Sequence, residues 1–153
     1  MFASLIRVSK KALSLPLKEK ILYWNVCRAL IRVRRDLSRK PFPSVLSRVK
    51  RSALRPVSDS DDARFDVATV CRAVERTARY LPGRYLCLPQ ALVGYAICSR
   101  YGSPPALRVG VNRAASETLH AHAWLEYNGA VVLGDLPDLS LFRVFEKTEE
   151  LVL

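Results

Sequence analysis

The first half of the chain repeats apolar and basic positions with the spacing of an α-helix. Apolar side chains recur every three or four residues, and prolines interrupt the pattern between the runs. The pattern predicts helices at 3–14, 17–37 and 45–54. A fourth helix is predicted over about 63–80, with Ser60 or Asp61 as its N-cap.

The second half of the chain changes to the alternating pattern of β-strands. Residues 106–112 alternate in this way, and two apolar runs flank Asn128-Gly129, a dipeptide typical of the type I′ hairpin turn. Counting outward from this turn pairs His122 with Asp135. Directly opposed side chains have Cβ atoms about 4.5–5.5 Å apart, so we expect the carboxylate to hold an imidazole N–H.

Helices followed by strands indicate an α+β fold, in which N-terminal helices precede an antiparallel sheet that packs against the helix containing Cys87. A polar loop is predicted at 113–119 and a last strand at 141–147. We expect a basic helical region over 1–56 and the main domain over 57–153, because the composition changes between them.

The net charge of +11 is concentrated in the first third of the chain. Residues 1–56 contain 15 Lys and Arg against two acids, whereas 57–153 contain 10 against 12. Such a segment suits an anionic membrane surface, an acidic peptide or a partner protein, and a solvated face without a ligand is the alternative. No zinc finger, phosphate loop or aromatic-basic RNA motif is present, so we expect no nucleic-acid partner.

The cysteines show no C-x-x-C spacing, so we expect neither a metal site nor a cofactor. Lys10 and Lys11 interrupt the first apolar residues, which argues against a signal peptide. No apolar run reaches the roughly 18 residues that a membrane span needs. These features predict a cytoplasmic protein with reduced thiols.

Cys87 is predicted to lie at the beginning of a helix. Apolar residues follow it at helical spacing, Gly102 is placed to end the helix, and Pro89 is tolerated only in the first turn. The unpaired N–H groups of a helix N-terminus favour the thiolate, the form that attacks carbonyls, and can also bind an oxyanion. Gln90 is either a further oxyanion donor or an ordinary polar side chain of the helix surface.

A histidine held by a carboxylate is half of a nucleophilic triad, although most histidines on half-buried strands are only packed and hydrogen-bonded. His120 points to the same face as His122, but its predicted partner is Pro137, which has no carboxylate. This difference favours His122. Trp124 shares that face, where it either shields the ion pair, lines a peptide groove or packs in the core.

The order Cys87, His122, Asp135 is that of papain-like and transglutaminase-like cysteine enzymes. Four motifs lie over about residues 63–137: Cys-Leu-Pro-Gln-Ala-Leu at Cys87, Arg-Tyr-Gly at the helix end, the strand Leu-Arg-Val-Gly-Val, and His-Ala-Trp-Leu-Glu-Tyr-Asn-Gly at His122 with a following Asp. In these motifs the chain resembles the transglutaminase-like leader peptidases of lasso-peptide biosynthesis.

The resemblance implies that Cys87 is the nucleophile, His122 the general base and acid, and Asp135 the orienting acid, within a cysteine peptidase core at 57–153. Family members cut a ribosomally made precursor peptide between leader and core, and an ATP-dependent lasso cyclase then closes the macrolactam. The short chain implies the split arrangement, in which a separate leader-recognition protein presents the precursor.

Two other functions stay open from the sequence. An acyltransferase or amidase would use the same residues, because an amine resolves a thioester as readily as water does. A non-catalytic peptide-binding module would lack one of the triad residues, and none is missing.

Overall fold

A computed structural model describes residues 15–57, 64–112 and 120–145. In these ranges, helices precede a small antiparallel sheet, and the predicted α+β class is confirmed. The helices are α1 (Leu17–Leu37), α2 (Phe42–Ala53), α3 (Val67–Tyr80) and α4 (Cys87–Arg100). The strands are β1 (Ala106–Asn112), β2 (His120–Tyr127), β3 (Ala130–Leu133) and β4 (Arg143–Val144), with a 3-10 turn at Leu139–Leu141.

Prolines set several of the helix ends. The predicted bounds of α1 are confirmed, and α2 begins three residues before its predicted start because Pro41 precedes it and Pro43 is tolerated in the first turn. The predicted helix at 3–14 and loop at 113–119 lie outside the described residues. The last strand is shorter than predicted, since only Arg143–Val144 pairs with β1 in the described part.

The N-terminus of α3 corrects the predicted cap. The cap is Asp66, so the assignment to Ser60 or Asp61 was wrong. The Asp66 carboxylate accepts the backbone N–H of Thr69, and this hydrogen bond lowers the pKa of Asp66 from its ordinary value. The helix therefore begins later than its apolar periodicity alone suggests.

The four helices bury one continuous hydrophobic core. Leu22, Val26 and Leu30 of α1 lie in it together with Val45 of α2 and Leu92 of α4. The domain division at residue 56 stays a prediction, and the core contains side chains from both sides of it.

A buried ion pair joins α1 to α2. Asp36 is 4% exposed and pairs with Arg48 of α2, while Lys40 lies 3.5 Å from the same carboxylate. A buried carboxylate requires such partners, because desolvation of an unpaired charge is costly.

The sheet packs closely against the helix that begins with Cys87. The strand order is β3-β2-β1-β4, and α4 contacts β1 and β2. A Cβ atom at Gly94 of α4 would lie 2.8 Å from Leu125 Cδ1 and 3.1 Å from Leu133 Cδ2. The absence of a side chain at Gly94 thus allows the helix backbone to approach the hairpin.

The hairpin has the predicted turn but not the predicted register throughout. Asn128 and Gly129 have φ values of 51° and 79°, as a type I′ turn requires. The first two residue pairs follow the prediction, but a β-bulge then pairs Leu125 with Leu133, where β3 ends. The predicted pairing of His122 with Asp135 was therefore wrong, because one extra residue in β3 shifts the register.

We predict that Asp66→Ala lowers the free energy of unfolding by about 1 kcal/mol, because the first turn of α3 loses its acceptor. Asp66→Asn is the matched control, since asparagine also caps helices, and it should cost only a small fraction of that value. Urea unfolding at neutral pH measures both variants. Equal losses in the two variants would show that the cap hydrogen bond is not the stabilising contact.

Candidate active site

Cys87 is the first residue of α4, as predicted. The preceding residue, Leu86, has no side-chain oxygen that could cap the helix, and Pro89 has no N–H. The N–H groups of Cys87 and Leu88 are therefore without a side-chain cap at the helix end. The Cys87 side chain is half-buried, so the thiol lies at the boundary between the core and solvent.

The Gln90 side chain holds the segment that precedes Cys87. Its Nε2 donates a hydrogen bond of 2.6 Å to the backbone oxygen of Tyr85. The guanidinium of Arg34 lies 5.0 Å from the centre of the Tyr85 ring, a cation–π contact from α1. These contacts fix the chain two residues before Cys87, and the oxyanion role of Gln90 stays a prediction.

The other cysteines have different surroundings. Cys71 and Cys98 are buried between α3 and α4, and Cys27 is half-buried within α1. A hydrogen bond to Cys71, together with burial, raises the pKa of the Cys98 thiol far above its ordinary value. The Cys98 thiol therefore stays protonated, and Cys87 is the cysteine with the helix-end position of a nucleophile.

His122 has a defined tautomer in this structure. Its Nε2 lies 2.7 Å from the backbone oxygen of Gly134. Because a carbonyl oxygen only accepts hydrogen bonds, Nε2 must carry the proton, and Nδ1 of the neutral ring keeps its lone pair. The imidazole therefore presents Nδ1 as a proton acceptor.

Two aromatic rings hold the imidazole in place. Trp124 is stacked on it, with ring centres 6.0 Å apart and an interplanar angle of 14°, and the Phe142 ring lies 5.7 Å away. Trp124 is 2% exposed, and its Nε1 donates a hydrogen bond of 2.8 Å to Glu126. This bond and the ion pair with Arg108 lower the pKa of Glu126 from its ordinary value.

The three predicted triad residues are not joined by a hydrogen bond in this structure. Ala123 and Leu125 pack on the helices, so His122, which alternates with them, projects from the other face of β2. Asp135 is exposed and lies just beyond the end of β3, next to the residue whose carbonyl holds His122. The hairpin thus brings Gly134, the chain neighbour of Asp135, to His122, and the Gly134 carbonyl makes the contact.

The profile of the transglutaminase-like superfamily matches residues 29–147, a range that includes Cys87, His122 and Asp135. The chain belongs to the transglutaminase-like superfamily. This superfamily includes cysteine proteases and acyltransferases, so the chemistry expected of it is acyl transfer through a cysteine. No curated protein and no solved structure matches the chain significantly.

The described part of this transglutaminase-like protein shows neither a metal cluster nor a membrane span. No group of three or more His, Cys, Asp or Glu side chains in it could hold a metal ion. Within the same ranges, every helix is too short or too polar to cross a bilayer.

Sequence reasoning missed three residues of the transglutaminase-like site: Gly134 and Phe142, which contact the imidazole, and Glu126, which anchors the stacked Trp124. Glu126 could have been found, because it alternates with His122 and Trp124 on one face of the strand. Gly134 and Phe142 carry no such signal, since their positions depend on the bulge and on the turn before β4.

We predict that Gly134→Ala lowers the free energy of unfolding by about 1–3 kcal/mol. Gly134 has φ of +78°, and a Cβ atom there would lie 2.9 Å from the backbone oxygen of Ala123. Gly102→Ala is the matched control, because its φ of +83° imposes similar strain but a Cβ atom there would meet nothing within 4 Å. Urea unfolding should show the larger loss for Gly134→Ala, and equal losses would contradict the close approach to β2.

Proposed function

We propose that this protein is a cysteine peptidase that removes the leader from a ribosomally made lasso-peptide precursor in the cytoplasm. The observation that carries the proposal is a half-buried cysteine at an uncapped helix N-terminus, in a transglutaminase-like chain whose His122 offers Nδ1 as a base. The motifs around Cys87 and His122 support the leader-peptidase role.

The reaction begins with the transfer of the Cys87 proton to His122 Nδ1. The thiolate then attacks the scissile carbonyl, and the helix N-terminus stabilises the oxyanion through the N–H groups of Cys87 and Leu88. His122 returns the proton to the departing amine, which is the new N-terminus of the core peptide. Water, deprotonated by His122, finally attacks the thioester carbonyl. The C–S bond breaks, the leader leaves as a carboxylic acid, and the proton on His122 returns to the Cys87 sulfur.

These reaction steps require the Cys87 sulfur and His122 Nδ1 to come within hydrogen-bond reach when substrate is bound. Catalytic hydrogen bonds are often long in free enzymes and shorten in the substrate complex. β3 ends at Leu133, so among the described residues no strand pairs with β2 on that side at His122. We propose that the thiol and the imidazole come into contact at this unpaired edge of β2. In this proposal an extended peptide binds along the same edge and reaches both groups there.

The orienting role is divided between two neighbouring residues in this proposal. The Gly134 carbonyl fixes the tautomer of His122, and Asp135 supplies the negative charge that stabilises the imidazolium formed during the reaction. The precursor comes from a separate leader-recognition protein, and the released core passes to an ATP-dependent lasso cyclase. No metal or cofactor takes part.

The proposal is tested by incubating the protein with a precursor peptide and its leader-recognition protein and weighing the products. Two fragments whose masses add up to the precursor plus one water mean hydrolysis. A fragment that carries the mass of an added amine means acyl transfer, the chemistry of an acyltransferase or amidase. An unchanged precursor that still binds the protein would mean a non-catalytic binding module. Acyl transfer or binding without cleavage would each overturn the proposed peptidase function.

We predict that Cys87→Ala abolishes cleavage, because no other side chain replaces the nucleophile. Cys98→Ala is the matched control, since Cys98 is buried and protonated, and it should retain activity. Mass spectrometry of the products measures both, and thermal unfolding confirms that each variant is folded. Equal loss of cleavage in the two folded variants would remove Cys87 as the nucleophile.

We further predict that Asp135→Asn retains measurable activity, because the Gly134 carbonyl still holds the imidazole. The loss should appear mainly in kcat, since the carboxylate acts on the charge that develops during the reaction. Steady-state kinetics measures kcat and KM separately. A kcat equal to that of the unchanged protein would exclude Asp135 from the reaction.

A further inference from the structure

Helix α1 has a second apolar stripe, on the side that faces away from the core. Leu17, Ile21, Trp24 and Ile31 are 74%, 52%, 62% and 47% exposed. With Arg28 they follow alternating spacings of four and three residues, so they lie within a sector about 80° wide along the helix. The residues that α1 buries lie on the opposite side.

This stripe is surrounded by positive charge and contains no exposed acid. Residues 15–57 hold twelve Lys and Arg against two acids, Glu19 and Asp36. Asp36 is buried and ion-paired, and Glu19 is half-buried. Arg28 and Arg35 are exposed within the stripe itself.

A cavity lined by arginines lies beside the stripe, so the positive charge continues from α1 onto α2 and α4. It has a volume of about 520 Å³ and lies between α1, α2 and α4. Its walls include Arg28, Arg32, Arg35, Arg48 and Arg100, and its floor is apolar. Guanidinium groups above an apolar floor suit phosphate headgroups attached to acyl chains.

We propose that the outer face of α1 binds an anionic phospholipid surface. The helix would lie in the plane of the interface, with Leu17, Ile21, Trp24 and Ile31 inserted below the headgroups. Tryptophan prefers this depth, and the long stems of Arg28 and Arg35 allow their charges to reach lipid phosphates. This inference is independent of the proposed peptidase activity.

Two other occupants fit the same face less well. A partner helix would have to bury Arg28 in the middle of its seam and Arg35 at the end of it, and desolvation of these charges is costly. A second copy of this chain would bring two strongly basic faces together, and they would repel each other. A bilayer accepts both the apolar residues and the charges.

The two tryptophans make a direct test possible. Trp24 is exposed and Trp124 is 2% exposed, so a change in emission on adding vesicles reports on Trp24. Vesicles of equal parts phosphatidylglycerol and phosphatidylcholine should shift the emission to shorter wavelength and carry the protein upward in a flotation gradient. Vesicles of phosphatidylcholine alone, or the mixed vesicles at high salt, should do neither. Trp24→Phe should float with the mixed vesicles without the emission change.

Matched variants distinguish binding through the outer face of α1 from binding caused by the overall positive charge of the protein. The double variant Arg28→Gln, Arg35→Gln should weaken vesicle binding roughly thirtyfold. The double variant Arg76→Gln, Arg79→Gln changes two exposed residues of α3 and should leave vesicle binding through α1 unchanged. Trp24→Ser should weaken binding, and Tyr80→Ser, at a site 59% exposed, should not. Absence of binding, equal binding to phosphatidylcholine alone, or equal losses in the control variants would overturn the proposal. An emission shift that depends on protein concentration without vesicles would assign the face to a second copy and would also overturn it.

Discussion

The hydrogen bond from His122 Nε2 to the Gly134 carbonyl is the contact on which the candidate site depends. It exists because a bulge between the Leu125–Leu133 and Glu126–Val131 pairs inserts one residue into β3, and because Gly134 adopts a left-handed conformation. Without the bulge, the side chain of Asp135 would lie opposite the imidazole. The hairpin instead presents a main-chain oxygen, which is an acceptor in every protonation state of the protein.

The rest of the fold fixes the hairpin that contains this hydrogen bond and the helix that begins with Cys87. Gly94 allows α4 to pack directly on the hairpin, and Gln90 and Arg34 fix the segment before the cysteine. Trp124 is itself anchored by Glu126 and stacks on the imidazole. Two main-chain features, a helix N-terminus and a strand-end carbonyl, therefore define the local chemistry of the two reacting groups.

Local patterns were enough to predict most elements and the positions of Cys87 and His122 on them, but not the Gly134 carbonyl that holds the imidazole. Cys87 at a helix start followed from Pro89, and the hairpin followed from Asn128-Gly129. The bulge could not be predicted, because Val131-Val132 is an ordinary strand sequence without a glycine or other bulge signal. The cap of α3 was misplaced because several acids precede that helix, and the sequence alone does not show which of them accepts the Thr69 N–H.

The tautomer of His122 is the most direct test of this account. Nitrogen NMR of protein labelled with ¹⁵N-histidine, at about pH 8 where an ordinary imidazole is neutral, distinguishes a protonated Nε2 from a protonated Nδ1. The chain has two histidines, and a His120→Gln variant assigns their signals. We predict that His122 carries its proton on Nε2, with Nδ1 unprotonated. A proton on Nδ1 would contradict it, because the base that Cys87 needs would then point toward the Gly134 carbonyl.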